Sequence, residues 1–252
     1  MKILVTNDDG IEARGLAVLT EIASELSDDV TVVAPATEQS AKGHSITLRN
    51  PLRLRRLGEK HYSVDGTPAD CVMMGVRHVL AEGGVDLVLS GVNRGANLAD
   101  DVTYSGTVAA AMEGTLLGVP SIALSQEYGR GESVPWETGR DHGAGVVRRV
   151  LDVGWPAGVL ININFPPVAS ADVAGVEVCR QGQHNFADLR PEQRTDPFGG
   201  DYFWASGWGL DAVEREDGTD LHAVHEGRVA VTPITLDMTH HPTLELLSRA
   251  LG

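Results

Sequence analysis

The clearest hydrophobic pattern in the chain is a short apolar run that stops at two acids. Residues 3–6, Ile3-Leu4-Val5-Thr6, are apolar and β-branched in succession, which predicts a strand buried on both faces. Asn7-Asp8-Asp9-Gly10 follows at once. Leu16, Leu19, Ile22, Ala23 and Leu26 then recur at three- and four-residue spacing, which predicts a helix over 15–26. Residues 30–34 read as a second buried strand, stopped by Pro35. The same texture returns as strands over 86–90, 121–125 and 159–163 and as helices over 68–80, 105–117 and 138–153. Thr67-Pro68-Ala69-Asp70 marks one helix start, with Thr67 as N-cap and Pro68 at the first position. Gly118 and Pro120 mark a helix end. Residues 45–48 look strand-like, and 52–57 with 62–64 read as an extra hairpin or edge strands.

Strand and helix alternating in this way predict an α/β fold with a mostly parallel sheet in the first ~167 residues. After Pro166-Pro167 the pattern changes. Residues 168–235 are Gly-rich and polar, carry Tyr202, Phe203, Trp204 and Trp208, and hold strand-like 176–180 and 228–232. They read as an excursion of hairpins, closed by a terminal helix over 242–251 with Leu244, Leu247 and Leu251. The division is therefore a core over 1–167 and an extension over 168–252 within the same domain.

At 252 residues the chain is long enough for one sizeable core. It has no apolar run long enough to span a membrane, and its start reaches Asp8 too early for a signal peptide, so a cytoplasmic location is expected. Cys71 and Cys179 are too far apart for a metal cluster and read as core thiols. The formal net charge of −15 argues against binding to long nucleic acid, but not against one small phosphorylated substrate.

The two adjacent acids carry the chemistry. Asp9-Gly10 alone would make a turn, but no alternating hairpin partner follows. Paired carboxylates repel and are costly to desolvate unless a cation or strong donors compensate. In an open parallel sheet, ligands bind at the carboxyl ends of strands. Three loops should open there: one with Asp8 and Asp9, one with Glu38, Gln39 and Ser40, one with Asn93 and Asn97. Carboxylate, hydroxyl and amide oxygens suit a hard cation such as Mg²⁺ or Mn²⁺. Ser105-Gly106-Thr107 opens a helix, whose free N–H groups suit phosphate. His44, on the Ser40 loop, is either a surface residue or a group that meets phosphate or moves a proton. A G-x-G-x-x-G motif after the first strand, a Walker A loop and a nucleophile elbow are all missing.

Long motifs in fixed order complete the picture. They are Thr6-Asn7-Asp8-Asp9-Gly10, Gln39-Ser40 to Gly43-His44-Ser45, Asp65-Gly66-Thr67-Pro68-Ala69-Asp70, Ser90-Gly91-Val92-Asn93-Arg94-Gly95-Ala96-Asn97, Tyr104-Ser105-Gly106-Thr107 and Asn162-Ile163-Asn164-Phe165-Pro166. With them the chain closely resembles the SurE survival-protein family of 5′/3′-nucleotidases over nearly its whole length. The resemblance implies a Rossmann-like three-layer sheet and a metal-dependent phosphatase acting on nucleoside monophosphates and short polyphosphate. It implies one divalent cation per subunit, held by Asp8, Asp9, Ser40 and Asn93. It also implies a homodimer or homotetramer built through the C-terminal region. Asp8 or Asp9 is the expected base, with His44 or a water near the leaving oxygen. Asn7, Gly43, Asn97, Ser105, Gly106 and Thr107 are expected around the substrate. Ala41 stands where the family often has Gly. The rival readings are a Mg²⁺-binding receiver-like signalling domain and a protein that holds a nucleotide without hydrolysing it. The receiver reading needs a lysine on a late strand, and the only lysines are Lys2, Lys42 and Lys60.

Overall fold

The first strand sets the layering. In β1 (Lys2–Thr6), Ile3 and Val5 face one helical layer and Leu4 the other. The computed structural model describes residues 1–184, 190–206 and 215–252. The chain continues through α1 (Arg14–Leu26), β2 (Asp29–Pro35), β3 (Leu54–Gly58), β4 (His61–Val64) and α2 (Pro68–Met74). Next come β5 (Leu87–Arg94), α3 (Gly106–Leu116), β6 (Ser121–Gln126), α4 (Trp136–Val153) and β7 (Val159–Phe165). The last elements are β8 (Val176–Val178), β9 (Arg190–Thr195), β10 (Asp201–Ser206), α5 (Asp220–His225), β11 (Val229–Thr235) and α6 (His241–Leu251). Trp208, expected in the hairpin excursion, lies outside the described residues.

Among the described residues, nine strands form one sheet in the order β3-β4-β2-β1-β5-β6-β7-β11-β8. From β4 to β7 all neighbours run parallel. Leu16, Leu19 and Ile22 of α1 and Val146 and Val147 of α4 pack on one face. Cys71 and Val72 of α2 and Val108 and Ala110 of α3 cover the other, which completes the α/β three-layer arrangement. The chain winds one way from β1 to β2 and the other way from β1 to β5. A crevice therefore opens at the carboxyl ends of β1 and β5, where Asp8 and Asn93 lie.

Three expectations are corrected. Residues 45–48 are not a strand, because their polar groups serve α2 instead. The Thr47 N–H and hydroxyl donate to Asp70 (3.0 and 2.6 Å), and the Thr67 hydroxyl donates to the Ser45 carbonyl (2.7 Å). Residues 91–94, expected in a loop, extend β5, because Asn93 and Arg94 pair with Ser125 and Gln126 of β6 beyond a register shift. Residues 168–235 are not an excursion alone. β11 pairs antiparallel with β7 and parallel with β8, so both join the main sheet, while β9 and β10 form a separate hairpin.

The cap of α2 is the one the sequence spelled. Thr67 Oγ1 accepts from the Asp70 N–H (3.2 Å) and Asp70 Oδ2 from the Thr67 N–H (2.9 Å). Because Thr67 also ties down Ser45, Thr67→Ala is expected to lower stability by about 1–2 kcal/mol, read as an earlier midpoint in urea unfolding.

Candidate functional site

Backbone hydrogen bonds lace the three loops together. Asn7 Nδ2 donates to the Gly10 carbonyl (2.9 Å) and closes the turn after β1. The Gln39 N–H donates to the Asp8 carbonyl (2.7 Å), and the Ile11 N–H to the Pro35 carbonyl (2.8 Å), which bring the second loop onto the first. Gly10, at φ +102°, lets them meet; a Cβ there would stand 3.2 Å from the Thr37 carbonyl carbon. The third loop joins where the Arg94 N–H donates to Asp9 Oδ2 (3.3 Å). The Gly43 N–H donates to the Tyr104 carbonyl (3.1 Å) and ties the second loop to the approach of α3.

Asp8 is 4% exposed and is gripped by α3. The Thr107 hydroxyl donates to Asp8 Oδ1. Gly106 permits this approach, since a Cβ there would lie 2.7 Å from both Asp8 Cβ and Asp8 Oδ2. Ser105 caps the helix by accepting from the Val108 N–H (3.0 Å). Burial pushes the Asp8 carboxyl up to about 6, with the Thr107 hydrogen bond pulling it down and the Asp9 charge pushing it further up. Burial also raises Asp9, with the Arg94 amide opposing and the Glu38 charge adding to the rise.

A cavity of about 820 Å³ opens over this point, and Asp8, Ser40, Asn93, Asn97 and Ser105 all line it. Asp9 lines an adjoining cavity of about 640 Å³, and Ser40, Arg94 and Tyr128 border both. The donor set suits a hard cation. Asp8 and Asp9 are desolvated like charges, Ser40 supplies a hydroxyl, and Asn93 commits Nδ2 to the Gly95 carbonyl (2.7 Å), which leaves its carbonyl oxygen as the acceptor. Among the described residues, no three His, Cys, Asp or Glu side chains gather closely enough to hold a metal, which does not suit a zinc cluster.

The remaining expected residues lie nearby in other roles. Asn7 is buried beneath the turn, and its Oδ1 has no partner among the described residues. Gly43 joins the loops, whereas His44 Nε2 lies 3.0 Å from Glu113 Oε2 of α3 and is not among the cavity lining. Ala41 takes the left-handed φ of +58° that the resemblance to a Gly position anticipates.

Sequence reasoning missed Arg94, Asp101, Tyr104, Glu127, Tyr128 and Arg130, which also line the larger cavity. The Arg94 guanidinium sits 5.4 Å above the Tyr128 ring. Glu127 to Arg130 follow β6, a fourth strand ending at the same sheet edge, and that position was the available signal.

The family model for Survival protein SurE matches residues 3–188. The chain is 56% identical over 254 residues to a protein of Methylobacterium nodulans named 5′-nucleotidase SurE, with both chains covered in full. It is 55% identical over 255 residues to the protein of that name from Brucella canis, covering 100% of this chain and 99% of the relative. Among solved structures, the SurE protein of Aquifex aeolicus superposes with a TM-score of 0.85 at 39% identity, covering both chains in full. The chain belongs to the SurE survival-protein family.

Proposed function

We propose that the protein is a divalent-metal-dependent nucleotidase, which hydrolyses nucleoside 5′-monophosphates to nucleoside and phosphate. The observation that carries this reading is the buried Asp8 at the sheet's switch point, set against the start of α3 in one cavity with Asp9 next to it in the adjoining one. Relatives named as 5′-nucleotidases support it.

Asp8, Asp9, Ser40 and Asn93 hold one Mg²⁺ or Mn²⁺, which supplies positive charge to the phosphoryl oxygens. The start of α3, at Ser105 to Thr107, turns its positive end to the remaining oxygens. Arg94 and Arg130, on the cavity wall, add cationic charge within an acidic protein. Thr107 and the close approach of Gly106 fix Asp8, so its task is to hold. Asp9 accepts a 3.3 Å bond from the Arg94 amide and is less buried than Asp8, so it is the freer carboxylate and takes the proton of the attacking water. Asn97 and Ser105 flank the substrate, while His44 acts through Glu113 and the Ser40 loop rather than at phosphorus.

Since recognition centres on the phosphoryl group, 3′-monophosphates and short polyphosphate are secondary substrates. Subunits associate as a homodimer or homotetramer through the C-terminal region, where Leu244, Leu247, Phe203 and Trp204 are all at least half exposed. Phosphate release from AMP, 3′-AMP and short polyphosphate, each with Mn²⁺, Mg²⁺ or chelator, tests the reading. Release from AMP that requires the cation is expected. Unchanged release in chelator would sink the metal assignment, and none under any condition would favour nucleotide binding without turnover.

A further inference from the structure

β7 carries two asparagines among apolar neighbours. Ile161 and Ile163 belong to the core under α1 and α4, so Asn162 and Asn164 share the opposite face, and both are wholly buried. A buried amide is costly unless its donor and acceptor are used. Asn164 commits both to the backbone of one residue. Its Oδ1 accepts from the Asn97 N–H (2.8 Å), and its Nδ2 donates to the Asn97 carbonyl (3.1 Å). The side-chain amide thereby imitates the two-bond pairing of a neighbouring strand. Asn162 Nδ2 donates to the same carbonyl (2.8 Å). Ser125, the cross-strand neighbour of Asn164, accepts from Asn97 Nδ2 (2.8 Å).

This arrangement carries a burden that packing alone would avoid. Among the described residues, Asn162 Oδ1 is buried without a partner. An apolar residue at 162 would leave no such orphan, so the amide earns its place through its donor end. Asn97 in turn lies between Asn93 and Ser105 along the chain, and all three line the larger cavity. Two residues on, the Ala99 N–H donates to Asp220 Oδ2 (2.9 Å) and the Ala99 carbonyl accepts from Gln181 Nε2 (2.9 Å), a second anchor for the same loop.

The geometry points to Asn164, together with Asn162, as positioning residues for the reaction. Their amides index the Asn97 backbone onto the sheet, and through it set Asn93 and the approach to α3 opposite Asp8. The inference rests on the nucleotidase reading. Asn97 then serves as a peg on the cavity wall, with one N–H of its side-chain amide committed to Ser125.

The test measures AMP turnover with saturating Mn²⁺, thermal melting, and amide hydrogen exchange over residues 95–100. The variants are Asn164→Asp, Asn162→Leu and Ser125→Ala. Asn164→Asp keeps shape and acceptor but sets a second oxygen against the Asn97 carbonyl. In both asparagine variants kcat is expected to fall about tenfold or more, exchange over 95–100 to quicken, and KM to change less than kcat. Ser125→Ala, which removes one contact, falls between them and the parent. Turnover within about twofold of the parent in a cooperatively melting asparagine variant overturns the proposal. Lost turnover with unchanged exchange over 95–100 also overturns it. If neither asparagine variant folds, parental turnover in Ser125→Ala overturns it. A parent that releases no phosphate from AMP overturns the nucleotidase reading instead, and the exchange data still decide whether the clamp exists.

Discussion

Gly106→Ala is expected to leave a folded protein that has lost about 10²-fold of its AMP turnover. Local helix physics predicts the opposite of harm. Alanine is a better helix residue than glycine by up to about 1 kcal/mol, so an exposed helix start would gain from the change. Here the new Cβ would stand 2.7 Å from Asp8 Cβ and Oδ2, closer than side-chain atoms pack. Either Asp8 or the first turn of α3 must shift, and the Thr107 hydroxyl would lose its aim at Asp8 Oδ1. Asp8 follows the wholly buried Ile3, Leu4 and Val5 of β1, and Gly106, Thr107 and Val108 of α3 are buried as well, so neither partner has free space to move into. The proposed cation ligand Asp8 and the proposed phosphate-binding start of α3 would then move apart. Two measurements check this: the melting temperature, expected to fall by about 10 °C at most with unfolding still cooperative, and kcat/KM for AMP with Mn²⁺, expected to collapse. Turnover within a few-fold of the parent would mean that close contact between α3 and Asp8 is not needed for catalysis.

Much of this site is readable because it is local. Asp8 and Asp9 follow a buried strand directly, Ser105 opens a helix, and Thr67 and Asp70 spell a cap at fixed spacing. The parallel sheet follows from alternation, and it brings the ends of β1, β2 and β5 to one edge. What was not readable depends on partners distant in sequence. Thr47 is β-branched and sits in an apparent strand, yet its polar groups go to Asp70 rather than to a ladder. β11 reads like any hairpin strand and contains Pro233, but its register partners are residues 159–164 of β7. His44 sits in a motif beside Ser40, and only the fold shows it turned to Glu113. Asn162 and Asn164 stood within a recognised motif with no role attached, because their partner Asn97 is more than sixty residues away.

The buried carboxylate also makes a prediction about pH. In metal-free protein, stability is expected to fall as pH rises from 4 to 7. The Asp8 carboxyl is raised from 3.8 to about 6, so between those values the folded chain holds a proton that the unfolded chain has released. Its contribution is therefore fully present below about pH 4 and is lost as pH rises through about 6. A shift of that size corresponds to about 3 kcal/mol at most. For a domain of this length, that is roughly 6–12 °C in melting temperature. Asp9 is raised as well and acts with the same sign. A cation held by Asp8 and Asp9 would reverse the slope, because it would have to displace the Asp8 proton and would bind more tightly as that proton leaves. Melting with chelator and with Mn²⁺ at pH 5 and pH 7.5 should show the metal-induced rise growing with pH. Asp8→Asn removes the titrating group, so in chelator its melting temperature should vary less with pH than the parent's, and Mn²⁺ should raise it little at either pH. Parallel pH profiles for Asp8→Asn and the parent would place the titration elsewhere and remove the physical ground for a cation at Asp8.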